Sequence, residues 1–469
     1  MNAVDMVLQE RHLIELYELA CPADGTEGAA YLLLGSADIK CDPWNRSSRL
    51  RLLSHEVVPI PPEEMVSTSP QHVTWGTSSF VRLLKKAQDY NLVVGIVHSH
   101  PQGFQNFSEQ DDTNEPSLVQ LAQNRNGAQG MMASLLLPAG GTPRARLWTS
   151  PTTKIDCDKI SVVGHSLAVH PVEAQRGVSY DIWHRQALAF GDALTDRLRS
   201  LKVGIIGCGA TGSATAMLLA RLGVGQILLI DEDIVEPTNL NRLHGAKRAD
   251  ADAMRPKVEV LAREVAELGL GVRPYPLRSW VGDARCRDPL RSCDVIFGCT
   301  DDHAGRIFLN RFAFFYLVPV IDLGLAILPR PSGGFSDLTA RVTILAPGAS
   351  CLLCRNIVDL QAAREEDLRR SQPEEYARQK EEAYVQGAGN PAPAVVTFTT
   401  AAACMGVNEL IQGLTGFKGP DGWCWNRARR FDLHEDRRPG ALRNPDCIIC
   451  EKSGYWGRGD IEPFLDRVG

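Results

Sequence analysis

A chain of 469 residues, 44% hydrophobic and 23% charged, exceeds what one ordinary core holds, so two or three globular domains are expected. A net charge of −6 gives no basic footprint for nucleic acid or an anionic membrane, and no apolar stretch approaches the ~20 residues of a membrane span. Small molecules or proteins are the expected partners.

In chain order, the first twenty residues, MNAVDMVLQERHLIELYELA, carry acids and an Arg-His pair within an amphipathic pattern. They lack the positive start and apolar core of a signal peptide. From 27 to 150, short β-like runs (AAYLLLG, HEVVPI, NLVVGIVHSH, MMASLLL, RARLWT) surround one amphipathic stretch at 78–90, which predicts an α+β domain of modest size. The pattern loosens over 150–178, so the expected division is a first domain at 1–165, a linker at 166–180 and a second domain at 181–469. From Lys202 the order becomes strand VGIIG, glycine turn, helix SATAMLLARLG, strand QILLID, helix KVEVLAREVAELG and strand DVIFGCT. That alternation predicts an α/β, doubly wound, mostly parallel sheet. Residues 359–385 are dense in charge and predict a solvated helix or mobile crossover segment.

Two constellations carry chemistry. In the first, His98 and His100 end the run NLVVGIVHSH. Residues i and i+2 of a strand share a face, so both imidazoles can present to one zinc ion, with Asp111 returning as a third, oxygen ligand. Ser108, a helical turn before Asp111, can donate a hydrogen bond to a developing oxyanion. Such a site still needs a carboxylate to accept a proton from water and deliver it to the leaving amine. The ungapped pattern H-x-H, seven residues, Ser, two residues, Asp resembles the JAMM (JAB/MPN-type) metalloproteases. That resemblance implies a proton-carrying glutamate ahead of an early apolar run, where Glu27 fits and Glu56 is the fallback. It also implies cleavage of peptide or isopeptide bonds after ubiquitin-like proteins.

In the second constellation, Gly207, Gly209 and Gly212 form G-x-G-x-x-G between a strand and a helix. Their backbone can approach phosphate at the helix N-terminus, and Asp231, ending the next strand, can bind a ribose hydroxyl. The stretch DEDIVEPTNLNR, then Arg255-Pro256-Lys257, then Cys299-Thr300-Asp301-Asp302 adds cations suited to a triphosphate and an acid, Asp301, suited to Mg²⁺. These residues resemble ThiF-type adenylyltransferases, the group that includes ubiquitin-activating enzymes and activators of sulfur-carrier proteins. The resemblance implies that Gly207, Gly209 and Gly212 line the ATP loop, that Asn241, Arg242 and Lys257 contact phosphates, and that Asp301 is the Mg²⁺ or catalytic aspartate. It further implies that Arg185, in YDIWHRQ, reaches the ATP site of a second subunit in a homodimer.

Thirteen cysteines include two C-x-x-C pairs, Cys351/Cys354 and Cys447/Cys450. Four thiolates close a tetrahedral structural zinc, and a metal use of the pairs points to a reducing cytoplasm. Residues 355–403 contain no cysteine, and Cys404 falls in an apolar helix pattern expected to pack in the core. An internal thioester, as in ubiquitin-activating enzymes, is therefore not expected. The combined expectation is a bifunctional enzyme: a zinc isopeptidase, and an ATP-dependent activator of a small ubiquitin-like or sulfur-carrier protein, with a conjugating enzyme as a possible further partner. A nicotinamide-dependent oxidoreductase and a modifier-binding scaffold are the alternatives.

Overall fold

A computed structural model describes residues 3–171, 180–382, 393–442 and 444–461. The chain forms two compact units, each built on its own sheet.

The first unit holds Met1–Ala174 together with Phe315–Leu317 and Gly454–Phe464; the sequence reading placed the last two with the rest of 181–469. Its nine-stranded sheet runs in space from Leu167–Pro171 through Lys159–Val163, Val4–Gln9, Arg49–Pro59, Ala29–Ile39, Val93–His100, Met132–Pro138 and Arg144–Ser150 to Thr153–Asp156. Both faces are covered. Along the central strand, Ala30, Leu32 and Leu34 enter one core cluster with Leu16 and Ala20 of the helix Glu10–Ala20. Ala29, Tyr31 and Leu33 enter the other, against Phe80 and Leu84 of the helix Thr77–Asp89 and Val119 of the helix Glu109–Asn126. Burial on both faces explains why the run reads as continuously apolar. The loosened stretch after 150 carries three further strands, ending at Pro171; residues 172–179, most of the expected linker, lie outside the described residues.

The second unit contains an eight-stranded sheet. Five strands, Arg273–Leu277, Gln226–Ile230, Lys202–Ile206, Val295–Gly298 and Val320–Pro329, lie side by side and parallel, and three antiparallel strands extend the edge. Strand order reverses between Lys202–Ile206 and Val295–Gly298, which opens a crevice beyond their carboxyl ends. The charged segment forms two helices, Leu360–Ser371 and Pro373–Glu382; residues 383–385 of that expectation fall outside the described residues. Among the described residues, no helix is long and apolar enough to cross a membrane.

Candidate metal centre and nucleotide pocket

The strand Val93–His100 pairs with Ala29–Ile39 so that His98 faces Ala29, and Ser99 N donates to Gly28 O. Continuing that register sets Glu27 opposite His100. After the strand, the chain turns through Pro101 and enters the helix Glu109–Asn126 with Ser108 as N-cap. Asp111 thereby returns to the histidines: its Oδ1 lies 3.2 Å from His98 Nε2 and its Oδ2 3.6 Å from His100 Nε2. One donor atom from each of the three lies within 4.8 Å of the others. His98 Nε2 is buried without a hydrogen-bond partner that meets full geometry. An orphaned imidazole nitrogen beside a second imidazole and a carboxylate fits the donor set of a catalytic zinc.

Burial pushes the Asp111 carboxyl up, yet His100 and His98 beside it more than reverse this and hold it well below the carboxylate range. Burial also depresses His100, and Asp111 outweighs it, so that histidine titrates higher than usual. Glu27 lines the same cleft of about 860 Å³. Burial raises its carboxyl against the opposing pull of His100 and His98. Glu56, the fallback, pairs with Lys86 Nζ at 2.6 Å and does not line the cleft. Ser108 does line it, but its hydroxyl and amide both donate to Asp111 Oδ2, at 2.8 and 2.7 Å, in a capping box. The serine thus fixes the carboxylate of the third candidate ligand.

A buried arginine unnoticed in the sequence braces this helix. Arg146 donates from Nε to Glu115 at 2.9 Å and from Nη1 to Asp112 at 2.6 Å, and its guanidinium lies 3.9 Å from the Phe107 ring. Its sequence context, RARLWT, is that of any strand.

In the second unit the glycines divide their labour. A Cβ on Gly212 would stand 1.8 Å from Gly207 O, and Gly207 itself has φ +88° and packs against Cys299 and Thr300. A Cβ on Gly209 would meet nothing within 4 Å. Two glycines therefore allow close packing, while the third borders open space at the start of the helix Ala210–Leu222, a cradle of the kind phosphate needs. The adjoining cavity, about 400 Å³, is lined by Gly207, Gly209, Asp231, Arg242, Lys257 and Asp301 among others. Asp231 accepts from Cys208 N at 2.6 Å and Asp233 N at 2.8 Å, and burial raises its carboxyl. Lys257 Nζ bonds Asp233 Oδ2 at 2.7 Å. Burial would depress this ammonium, but Asp231 and Asp233 outweigh it and raise its pKa.

Two sequence assignments, Asn241 and Cys404, land elsewhere. Asn241 is exposed and accepts from Arg242, whereas Asn239 lines the cavity; the spacing of N-L-N does not say which asparagine turns inward. Arg185, expected to serve a second subunit's site, is exposed on the short helix His184–Phe190, away from the cavity of its own chain. Cys404 is half-buried in the helix Val396–Thr415 rather than fully packed. Arg370, from the charged segment, lines the cavity unforeseen.

The four paired cysteines converge. Cys351 and Cys447 sulfurs lie 3.7 Å apart, Cys354 and Cys450 3.5 Å, and one sulfur from each lies within 4.8 Å of the rest. Zinc–sulfur bonds of ~2.3 Å in a tetrahedron place sulfurs about 3.8 Å apart, so the donors fit. Ionising one thiol hinders the next: hydrogen bonding from Cys450 helps pull Cys351 down to about 5, while Cys450 is pushed up by the same contact. A cation resolves that conflict.

Residues 183–448 match the ThiF family, and residues 9–148 match prokaryotic homologs of the JAB domain. The chain is 28% identical over 158 residues to the SAMP-activating enzyme E1 of Haloferax volcanii, covering 34% of this chain and 54% of that one. It is 33% identical over 163 residues to the molybdopterin-synthase adenylyltransferase of Escherichia coli, covering 34% and 60%. The match thus spans little more than half the length of these relatives. A crystal structure of E. coli MccB with MccA-N7isoASN aligns over 60% of this chain and 77% of that one, at 19% identity and a TM-score of 0.45. The chain belongs to the ThiF family and carries an N-terminal domain of the prokaryotic JAB type.

Proposed function

We propose that this chain serves a ubiquitin-like or sulfur-carrier pathway with two activities: ATP-dependent adenylation of a small protein's C-terminal carboxylate, and zinc-dependent peptide or isopeptide cleavage after such a protein. The observation that carries the first is the open cradle at Gly209 sharing one cavity with Arg242, Lys257 and Asp301. A carboxylate oxygen of the carrier attacks the α-phosphorus of ATP and pyrophosphate leaves. Lys257 exchanges Asp233 for phosphate, Arg242 offsets the growing charge on the leaving pyrophosphate, and Asp301 is placed to hold Mg²⁺. A nicotinamide enzyme would have no use for these cations. With no cysteine between 355 and 403, the acyl-adenylate passes to an outside nucleophile.

For the second activity, His98, His100 and Asp111 would hold a zinc ion, which would supply a polarised water when bound. Glu27, lining the same cleft, would accept a proton from that water and deliver it to the leaving amine. Ser108 keeps Asp111 in place and can turn its hydroxyl toward a developing oxyanion. Cys351, Cys354, Cys447 and Cys450 would hold a structural zinc. The working form is a cytoplasmic homodimer in which Arg185 serves the neighbouring nucleotide site, and a conjugating enzyme is the further partner.

The test is to give the purified chain small β-grasp proteins ending in glycine, with and without a C-terminal extension. Lys257→Ala is expected to abolish adenylation and spare trimming, and His98→Ala the reverse. Loss of both activities in either variant, or of neither, contradicts the assignment.

A further inference from the structure

The charged segment after the first cysteine pair is more than a solvated connection. Its first helix, Leu360–Ser371, is fastened to the start of the helix His303–Phe315 at two points. Asp359 N donates to His303 Nδ1 at 3.0 Å, and Glu366 Oε2 accepts from Ala304 N at 2.8 Å. That second helix begins directly after the Cys299–Asp302 stretch, so the fastening lays Leu360–Ser371 beside the nucleotide cavity. From its last turn Arg370 reaches the cavity wall and sets its guanidinium 4.0 Å from the Trp280 ring. Trp280 is held in turn: its indole N–H donates to Asp302 Oδ2 at 3.3 Å.

Arg370 keeps acidic company. Asp302 Oδ2 lies 3.5 Å from its Nη2, and Asp367 accepts from its Nη1 at 3.2 Å. Its charge is therefore partly answered within the protein. What it offers the cavity is a planar face backed by an indole. The phosphate-suited groups, the glycine loop, Lys257 and Arg242, are already assigned. Beyond Asp231, the ribose position, a nucleotide has one part left to place, and a flat, weakly hydrated base is the part that stacks on guanidinium and indole.

We infer that Arg370 and Trp280 form the wall against which the nucleobase stacks, so that the charged segment contributes a binding residue to the site. This rests on the cavity being a nucleotide site. The test measures AMP and ATP dissociation constants by calorimetry on the full chain, for wild type, Arg370→Ala and Arg370→Lys. Thermal melting and retention of zinc by the four cysteines serve as checks on folding. Arg370→Ala is expected to weaken AMP and ATP by the same factor, about tenfold, leaving their ratio unchanged because the base is common to both. Arg370→Lys is expected to be equally weak, since lysine keeps the charge and loses the plane. Unchanged affinities, a loss confined to ATP, or rescue by lysine would each overturn the stacking role. A wild-type chain that binds neither nucleotide would sink the nucleotide reading itself and this inference with it, an outcome distinct from the other three.

Discussion

Two alanine substitutions three residues apart, Gly209→Ala and Gly212→Ala, should behave differently. At Gly212 a Cβ would lie 1.8 Å from Gly207 O, against the 3.0 Å that real Cβ contacts respect. The helix start and the glycine turn must then separate by about 1.2 Å, and both sides are backbone with no flexible side chain to yield. Overpacking of this kind costs about 1–3 kcal/mol, here at the upper end, or on the order of 5–10 °C in the melting of the second unit. A phosphate loop displaced by roughly 1 Å also loses catalysis by about 10²-fold. At Gly209, φ is −75° and nothing lies within 4 Å, so alanine adopts the backbone without strain and stability changes by no more than about 0.5 kcal/mol. Its methyl group nonetheless occupies the cradle. Paired melting curves and ATP titrations should show Gly212→Ala losing stability and binding, and Gly209→Ala losing binding alone. If Gly209→Ala bound ATP as tightly as wild type, the cradle would not be the phosphate site.

Other consequences follow from the first unit and the metals. Metal analysis should find about two zinc per chain, falling to about one in Asp111→Ala, with the four-cysteine zinc retained; an unchanged content would show that the His98 cluster holds no metal. Arg146→Met leaves Glu115 buried without its cation, which costs about 3–5 kcal/mol and should also weaken zinc binding through the loosened helix. The double variant Arg146→Met/Glu115→Gln should recover part of the stability, and denaturant titration of the three chains reads the difference. His12 is held down to about 3 by burial, then by Arg11 and His55. An unfolded histidine protonates near 6.5, so its contribution to stability is whole above that pH and declines progressively as pH falls from 6.5 toward 3. His12→Gln should flatten that acid slope in melting curves of the first unit; an unaltered slope would remove His12 from the account.

Local spacing carried much of this into the sequence. The i, i+2 histidines and the helical return of Asp111 follow from strand and helix geometry, and the alternation after Lys202 predicts the doubly wound sheet. Ser108 and Asp111 form a capping box, each backbone N–H donating to the other's side chain, visible as a motif but ambiguous between cap and catalyst until the atoms are placed. What stayed hidden depended on distance along the chain. The strands after 150 are short, so their periodicity is weak; Lys159–Val163 takes its place in the sheet by pairing with Val4–Gln9, about 150 residues earlier, and Leu167–Pro171 pairs on it in turn. Arg370 looked like one charge among many because only the docking of its helix on His303 and Ala304 turns it toward the cavity. Arg146 reads as an ordinary strand residue until Asp112 and Glu115 close around it.

The central claim, activation of a protein's C-terminal carboxylate, meets its most direct test in isotope exchange between pyrophosphate and ATP. The purified chain would be offered small β-grasp proteins ending in glycine, each with a free or an amidated C-terminus. The account predicts exchange that requires a free carboxylate and disappears in Lys257→Ala. Exchange with the amidated protein, or none with any carrier while the chain oxidises NADH, would contradict it.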